Sequence, residues 1–128
     1  PTPAPTPQPT QPPTTRDRTG PNITIGGVSV VRVGLNGADI TVSVSANDPQ
    51  SGVRSLHVTI NYQYFCEGDQ GGQEDPGPQV FDRNGSSGTF TAGIGCSIAN
   101  RKPGNIRGSV VVVATNNIGL TSSKSTSY

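Results

Sequence analysis

The sequence has no tryptophan, no methionine, one histidine and two cysteines, with three Phe and three Tyr as its only aromatic rings besides that histidine. Each shortage removes a class of function. One imidazole and two thiols fall short of the four ligands of a structural zinc site. His57 stands alone, with no Ser or Cys in a recognisable nucleophile motif, so a catalytic triad lacks its parts. It reads as a solvated surface histidine. No run approaches the ~18 apolar residues of a membrane span, so no direct membrane insertion is expected of this fragment. Nine basic and eight acidic side chains leave a net charge of +1. The basic residues are scattered, and nucleic-acid binding needs a basic stripe or patch. No stretch carries the 3.6-residue period of a useful helix, so no phosphate loop can precede one.

What the chain does have begins with proline. Residues 1–15, PTPAPTPQPTQPPTT, hold seven prolines and no charge. A segment without apolar periodicity, missing an N–H at every Pro, is expected to be an extended, polyproline-like spacer. Residues 1–19 are therefore read as a Pro/Thr-rich linker, with another domain expected before it. Residues 20–128 are of the size of one domain.

In that domain the apolar period is two. ADITVSVSA places Ile40, Val42, Val44 and Ala46 on one face, the mark of a strand with one face in the core. VRSLHVTINYQYF puts Leu56, Val58, Ile60, Tyr62 and Tyr64 inward, and GTFTAGI does the same with Phe90, Ala92 and Ile94. IRGSVVVVAT turns Ile106, Val110, Val112 and Ala114 inward, while Val111 and Val113 make its other face apolar. Such a strand is central or covered. NITIGGVSVVRV reads as two short strands split at Gly26-Gly27. PQVFD and the polar, edge-like LTSSKSTSY complete the set. Turn residues separate them: Asn36-Gly37, Asp48-Pro49 with Ser51-Gly52, Asn84-Gly85, Lys102-Pro103-Gly104, and Asn116 to Gly119. About seven short strands at this spacing predict an all-β fold of two packed antiparallel sheets.

Cys66 and Cys96 are expected to form a disulfide, since a cysteine pair in a small Gly/Ser/Thr-rich β domain favours a bond over a metal. That pairing points to an oxidising, extracellular or cell-surface location.

ANDPQSGVRSLHVTI resembles the segment between strands B and C of bacterial immunoglobulin-like domains, where Asp-x-x-Ser-Gly opens strand C. VVVVATNNIGLTSS is similar to the F–G region of that family, and TGPNITI to its first strand. The resemblance covers residues 20–128 in outline and implies an immunoglobulin-like sandwich of about seven strands. Asn116 stands where the family often has Asp, and the insert at 66–79 departs from its pattern. The topology so implied puts the B–C, D–E and F–G turns and the start of the first strand at one end. Cys66 and Cys96 fall at the other, where a bond would close a loop of about 30 residues and contribute roughly 3 kcal/mol.

Two candidate sites follow. The insert CEGDQGGQEDPGPQ carries Glu67, Asp69, Glu74 and Asp75 with three glycines, and carboxylates on a pliable loop suit a cation or a binding partner. EF-hand spacing fails there, which favours a solvated loop pinned by the disulfide. At the first end, Asn47, Asp48, Asn116 and Asn117 converge with Asp17 as a candidate weak Ca²⁺ site. The competing expectation is that these side chains cap their own turns.

The expected function is a non-catalytic extracellular module, a spacer or recognition domain of a larger secreted or surface-anchored protein such as a receptor ectodomain or adhesin. Its partner would be a protein or a glycan. The alternative is a carbohydrate-binding accessory domain of a secreted hydrolase, which needs exposed rings for sugar stacking. Only Phe65 and Phe81 are phased to face out.

Overall fold

The computed structural model describes residues 3, 16–67, 73–74, 78–97 and 101–128. Eight strands follow one another: β1 Asn22–Val33, β2 Gly37–Asn47, β3 Val53–Cys66, β4 Gln73–Glu74, β5 Gln79–Asn84, β6 Ser87–Gly95, β7 Pro103–Asn116 and β8 Thr121–Ser127. No helix occurs among the described residues. One sheet runs β1-β2-β6, and the other runs β4-β3-β7-β8 with β5 also on β3. Every pairing is antiparallel. The chain is an all-β sandwich.

The two-residue period is what brings these sheets together. Ile40, Val42 and Val44 of β2, with Phe90, Ala92 and Ile94 of β6, line the inner face of the first sheet. Leu56, Val58, Ile60, Tyr62 and Tyr64 of β3, with Val110, Val112 and Ala114 of β7, line the second. All belong to one core, and each large aliphatic side chain withdrawn from water contributes about 1.5–3 kcal/mol. The outward residues of the first sheet are hydroxylic. Thr41 meets Thr91 across the strands at 3.2 Å and Ser43 meets Thr89 at 3.3 Å. The polar β8 lies at the edge of its sheet, and the doubly apolar β7 lies inside, between β3 and β8.

Three sequence expectations are corrected. NITIGGVSVVRV is one strand, because both halves pair with β2 and the register slips between Ile25 and Val28. The slip spans three residues of β1 against two of β2, so it is a β-bulge at Gly26-Gly27. The extra residue keeps Ile23 and Ile25 before it, and Val28 after it, against the core. Lys102-Pro103-Gly104 does not form a turn. Pro103 is buried and opens β7 opposite Cys66, a strand-start position that needs no ladder N–H. Phe81 packs against the core and tilts onto Phe90 at 5.9 Å between ring centres.

Candidate functional site

The first end of the sandwich gathers the segment before β1, the β2–β3 turn and the β7–β8 turn. Asp48 opens the β2–β3 turn and caps it, its Oδ1 accepting from the backbone N–H groups of Gln50 at 3.2 Å and Ser51 at 2.9 Å. Gly52 closes that turn at φ 72°, a left-handed conformation that glycine adopts without penalty. Asn116 caps the β7–β8 turn in the same way, accepting at Oδ1 from Ile118 N–H at 3.2 Å and Leu120 N–H at 2.8 Å.

Those two N–H donors fix the orientation of the Asn116 amide, so its Nδ2 points the other way. There it donates to Asp48 Oδ2 at 3.0 Å, Asp17 Oδ2 at 3.2 Å and, more distantly, the Thr19 carbonyl at 3.4 Å. Asp17 also accepts from the Ser51 hydroxyl at 2.5 Å and from the Thr19 N–H at 3.1 Å and hydroxyl at 3.2 Å. Asn116 is fully buried, and Asp17 and Asp48 are 7% and 8% exposed. The Ser51 hydroxyl first, then the Thr19 N–H, hold the Asp17 carboxyl below the usual carboxylate range, against the opposing effect of burial.

Of the residues assigned to this end from the sequence, Asp17, Asp48 and Asn116 meet. Asn47 is exposed at the end of β2, and Asn117 donates to the Ser51 carbonyl at 2.7 Å on the surface. Thr19 and Ser51 join the cluster without having been singled out, although Ser51 stands in the quoted Asp-x-x-Ser-Gly. The arrangement is a set of turn caps that share one amide. It presents N–H groups to the two carboxylates at the position where a cation would need oxygen. Among the described residues no three His, Cys, Asp or Glu are placed to hold a metal. Two neighbouring carboxylates are also the equipment of glycoside hydrolysis. Here both oxygens of each one accept from the protein's own donors, and both residues are buried.

The second end holds the disulfide. Cys66 ends β3 and Cys96 follows β6, and they are bonded with Cα atoms 5.8 Å apart. The bond joins one sheet to the other and closes a 30-residue separation. Around it, the Tyr64 hydroxyl donates to the Gly95 carbonyl at 2.6 Å, and Arg32 donates to the Pro103 carbonyl at 2.8 Å. The candidate acidic loop begins here. Glu67 is exposed, its N–H donating to the Lys102 carbonyl at 2.9 Å. Glu74 is placed by its backbone, in β4 opposite Tyr64, while Asp69 and Asp75 lie outside the described residues.

His57 is not solitary. It faces Asp82 across the β3–β5 ladder, with Nδ1 2.5 Å from Oδ1, and both side chains are well exposed. An exposed pair of this kind contributes about 0–1 kcal/mol. Of the six Phe and Tyr rings, Tyr62, Tyr64 and Phe90 are buried and Phe65, Phe81 and Tyr128 are half-buried. A shallow groove of about 360 Å³ on the outer face of the first sheet, lined by Thr24, Gly26, Ser43 and Ser45 with Ser87 and Thr89, contains no titratable group. No helix among the described residues is long and apolar enough to cross a membrane. The disulfide is compatible with an oxidising location.

Comparison with known proteins adds little to this geometry. No family model matches the chain. No curated protein matches it. Among solved structures it is similar to the Bifidobacterium adolescentis GH3 β-glucosidase, at 15% identity and a TM-score of 0.35. The match covers 84% of this chain and 17% of that one, so the chain spans about a sixth of the enzyme's length, and so low a TM-score carries no argument about either fold or function.

Proposed function

We propose that the chain is a non-catalytic, immunoglobulin-like extracellular module that holds its Cys66-rooted insert as a recognition surface for a protein within a larger secreted or surface-anchored bacterial protein. The observation that carries this reading is the disulfide. It ties the root of the acidic insert to both sheets, and a loop planted on a rigid scaffold is how binding modules present contact residues. Strand order supports the immunoglobulin-like assignment. Strands β1, β2 and β6 share one sheet and β3, β7 and β8 share the other, as A, B, E and C, F, G do in the immunoglobulin fold. Strand β5 departs from the constant-type pattern by pairing with β3.

The glycan reading has less support, since Phe81 is spent on Phe90 and Phe65 is half-buried. The test is a binding array of soluble proteins and polysaccharides probed with the whole chain and with a variant carrying residues 67–78 as a Gly/Ser segment of equal length. A protein ligand retained by the first and lost by the second is the expected result. Retention of a polysaccharide that Phe65→Ala abolishes would move the reading to the accessory-domain alternative. Failure to retain anything would leave a spacer only.

A further inference from the structure

Residues 16–21 lie outside the strand ladders, yet Asp17 and Pro21 among them are buried. β1 begins at Asn22 in the first sheet, opposite Asn47 of β2. The residues before it reach over to the second sheet. Asp17 is bonded to Ser51, 34 positions away, and to Asn116, 99 positions away. Gly20 passes so close to β8 that a Cβ there would sit 2.4 Å from both the Thr121 carbonyl oxygen and the Ser122 Oγ. Pro21 is buried, and Lys124 of β8 donates to the Ile23 carbonyl at 3.3 Å. Arg16 and Arg18, on either side of Asp17, are exposed. Asp48 from the β2–β3 turn shares the Asn116 amide with Asp17, and Lys124 from β8 is engaged with the backbone just after the segment.

From this geometry we infer that residues 16–21 are a clasp. Asp17 fastens the segment across the gap between the two sheets and so fixes the point at which residues 1–15 join the domain. The clasp is separable from the sandwich. Asp17 makes no ladder bond, and β1 from Asn22 onward keeps its own register on β2 together with its buried Ile23. Opening is a local event that ends at Asn22 and leaves the core closed, as with other segments held by a few side-chain bonds. It also gives the close approach at Gly20 its reason, because any larger residue would hold the chain off β8.

The inference does not depend on whether the insert binds a partner. It is tested by trypsin digestion of the whole, disulfide-bonded chain, with the cut sites identified by mass. The Arg16–Asp17 and Arg18–Thr19 bonds should resist in the wild type. They should be cut about tenfold faster in Asp17→Ala and severalfold faster in Ser51→Ala, which removes one donor and leaves Asp48 and Asn116 in place. Arg107 and Lys124, which lie in β7 and β8, should stay uncut throughout. Equal cleavage at Arg16 and Arg18 in wild type and both variants would overturn the inference. So would cleavage at Arg107 and Lys124 that rises in step with them in Ser51→Ala, because Asp17 would then support the whole domain rather than this segment.

Discussion

The two ends of the sandwich do one job by different chemistry. At the disulfide end a single covalent bond joins β3 to the end of β6. At the other end the sheets are joined by hydrogen bonds that converge on the buried amide of Asn116. The first connection is indifferent to pH and open to reductant. The second is indifferent to reductant and depends on Asp17 and Asp48 accepting from that amide and from their neighbouring donors. The difference teaches that a chain with so few apolar residues closes its ends with specific bonds rather than with more core. Those bonds also set where residues 1–15 and the insert after Cys66 are attached.

Five experiments break or sharpen this contrast. Reduction, or the Cys66→Ala/Cys96→Ala double variant, should lower unfolding stability by about 3–4 kcal/mol for a loop of this size. Urea titration with and without reductant measures it, and a loss below about 1 kcal/mol would mean the loop is already constrained when unfolded. Asn116→Ala strips the amide from two carboxylates and leaves the Ile118 and Leu120 N–H groups without their side-chain acceptor. A loss of about 2–3 kcal/mol is expected, unaffected by reductant.

The carboxylate end should also answer to acid. Asp17 is held below its ordinary value by Ser51 and Thr19, so its contribution is fully present above about pH 4 and is lost as pH falls through the lowered folded value. Protection of the Thr19 N–H from hydrogen exchange in the wild type should therefore approach that in Asp17→Asn as pH falls below about 4, and a constant gap would show that ionisation is not what matters. Alkali tests a different edge. Tyr128 donates to the Asn61 carbonyl at 2.7 Å, and burial first, then the neighbouring Tyr62, pushes its hydroxyl up to about 12. Its contribution is complete below pH 10 and disappears as pH rises through 12. Tyr128→Phe should lose about 1 kcal/mol at neutral pH and remove one late step from the ultraviolet tyrosinate titration. The smallest effect expected is that of calcium. Because Asn116 aims N–H groups at Asp17 and Asp48, millimolar Ca²⁺ and chelator should give the same melting temperature, and a rise of several degrees would restore a cation to that end.

Much of the fold could be read from the alternation itself. Ile40, Val42, Leu56, Val58, Ile60, Val110 and Val112 could be placed inward because a strand offers its side chains to only two faces, and the structure buries every one of them. The β1 bulge was harder to read. Gly26-Gly27 signals a break in the strand and equally a kept register with one extra residue, and only pairing with β2 distinguishes them. Phe81 was misjudged for a related reason. Its phase along a short strand says nothing of Phe90, which approaches from the other sheet.

At the candidate site the sequence could bring Asp17, Asp48 and Asn116 to one end once the strands were assumed to alternate in direction. It could not say which atom of Asn116 faces the carboxylates. That depends on two backbone N–H groups in a turn, and it decides between an oxygen cage for a cation and a closed set of caps. Nor could it show that residues 16–19 belong to the folded body, since the Pro/Thr composition before them reads as linker and contacts 99 positions apart leave no trace in local pattern.

The sequence by itself determined the all-β class, most of the inward set, most of the turns and the cysteine pairing, because period-two patterning and backbone preference act over neighbouring residues. Tertiary structure alone decided the continuity of β1, the orientation of the Asn116 amide and the docking of Asp17. Each of these depends on donors or walls contributed by strands far away in the chain, and hydrogen-bond direction is set only when those partners are in place.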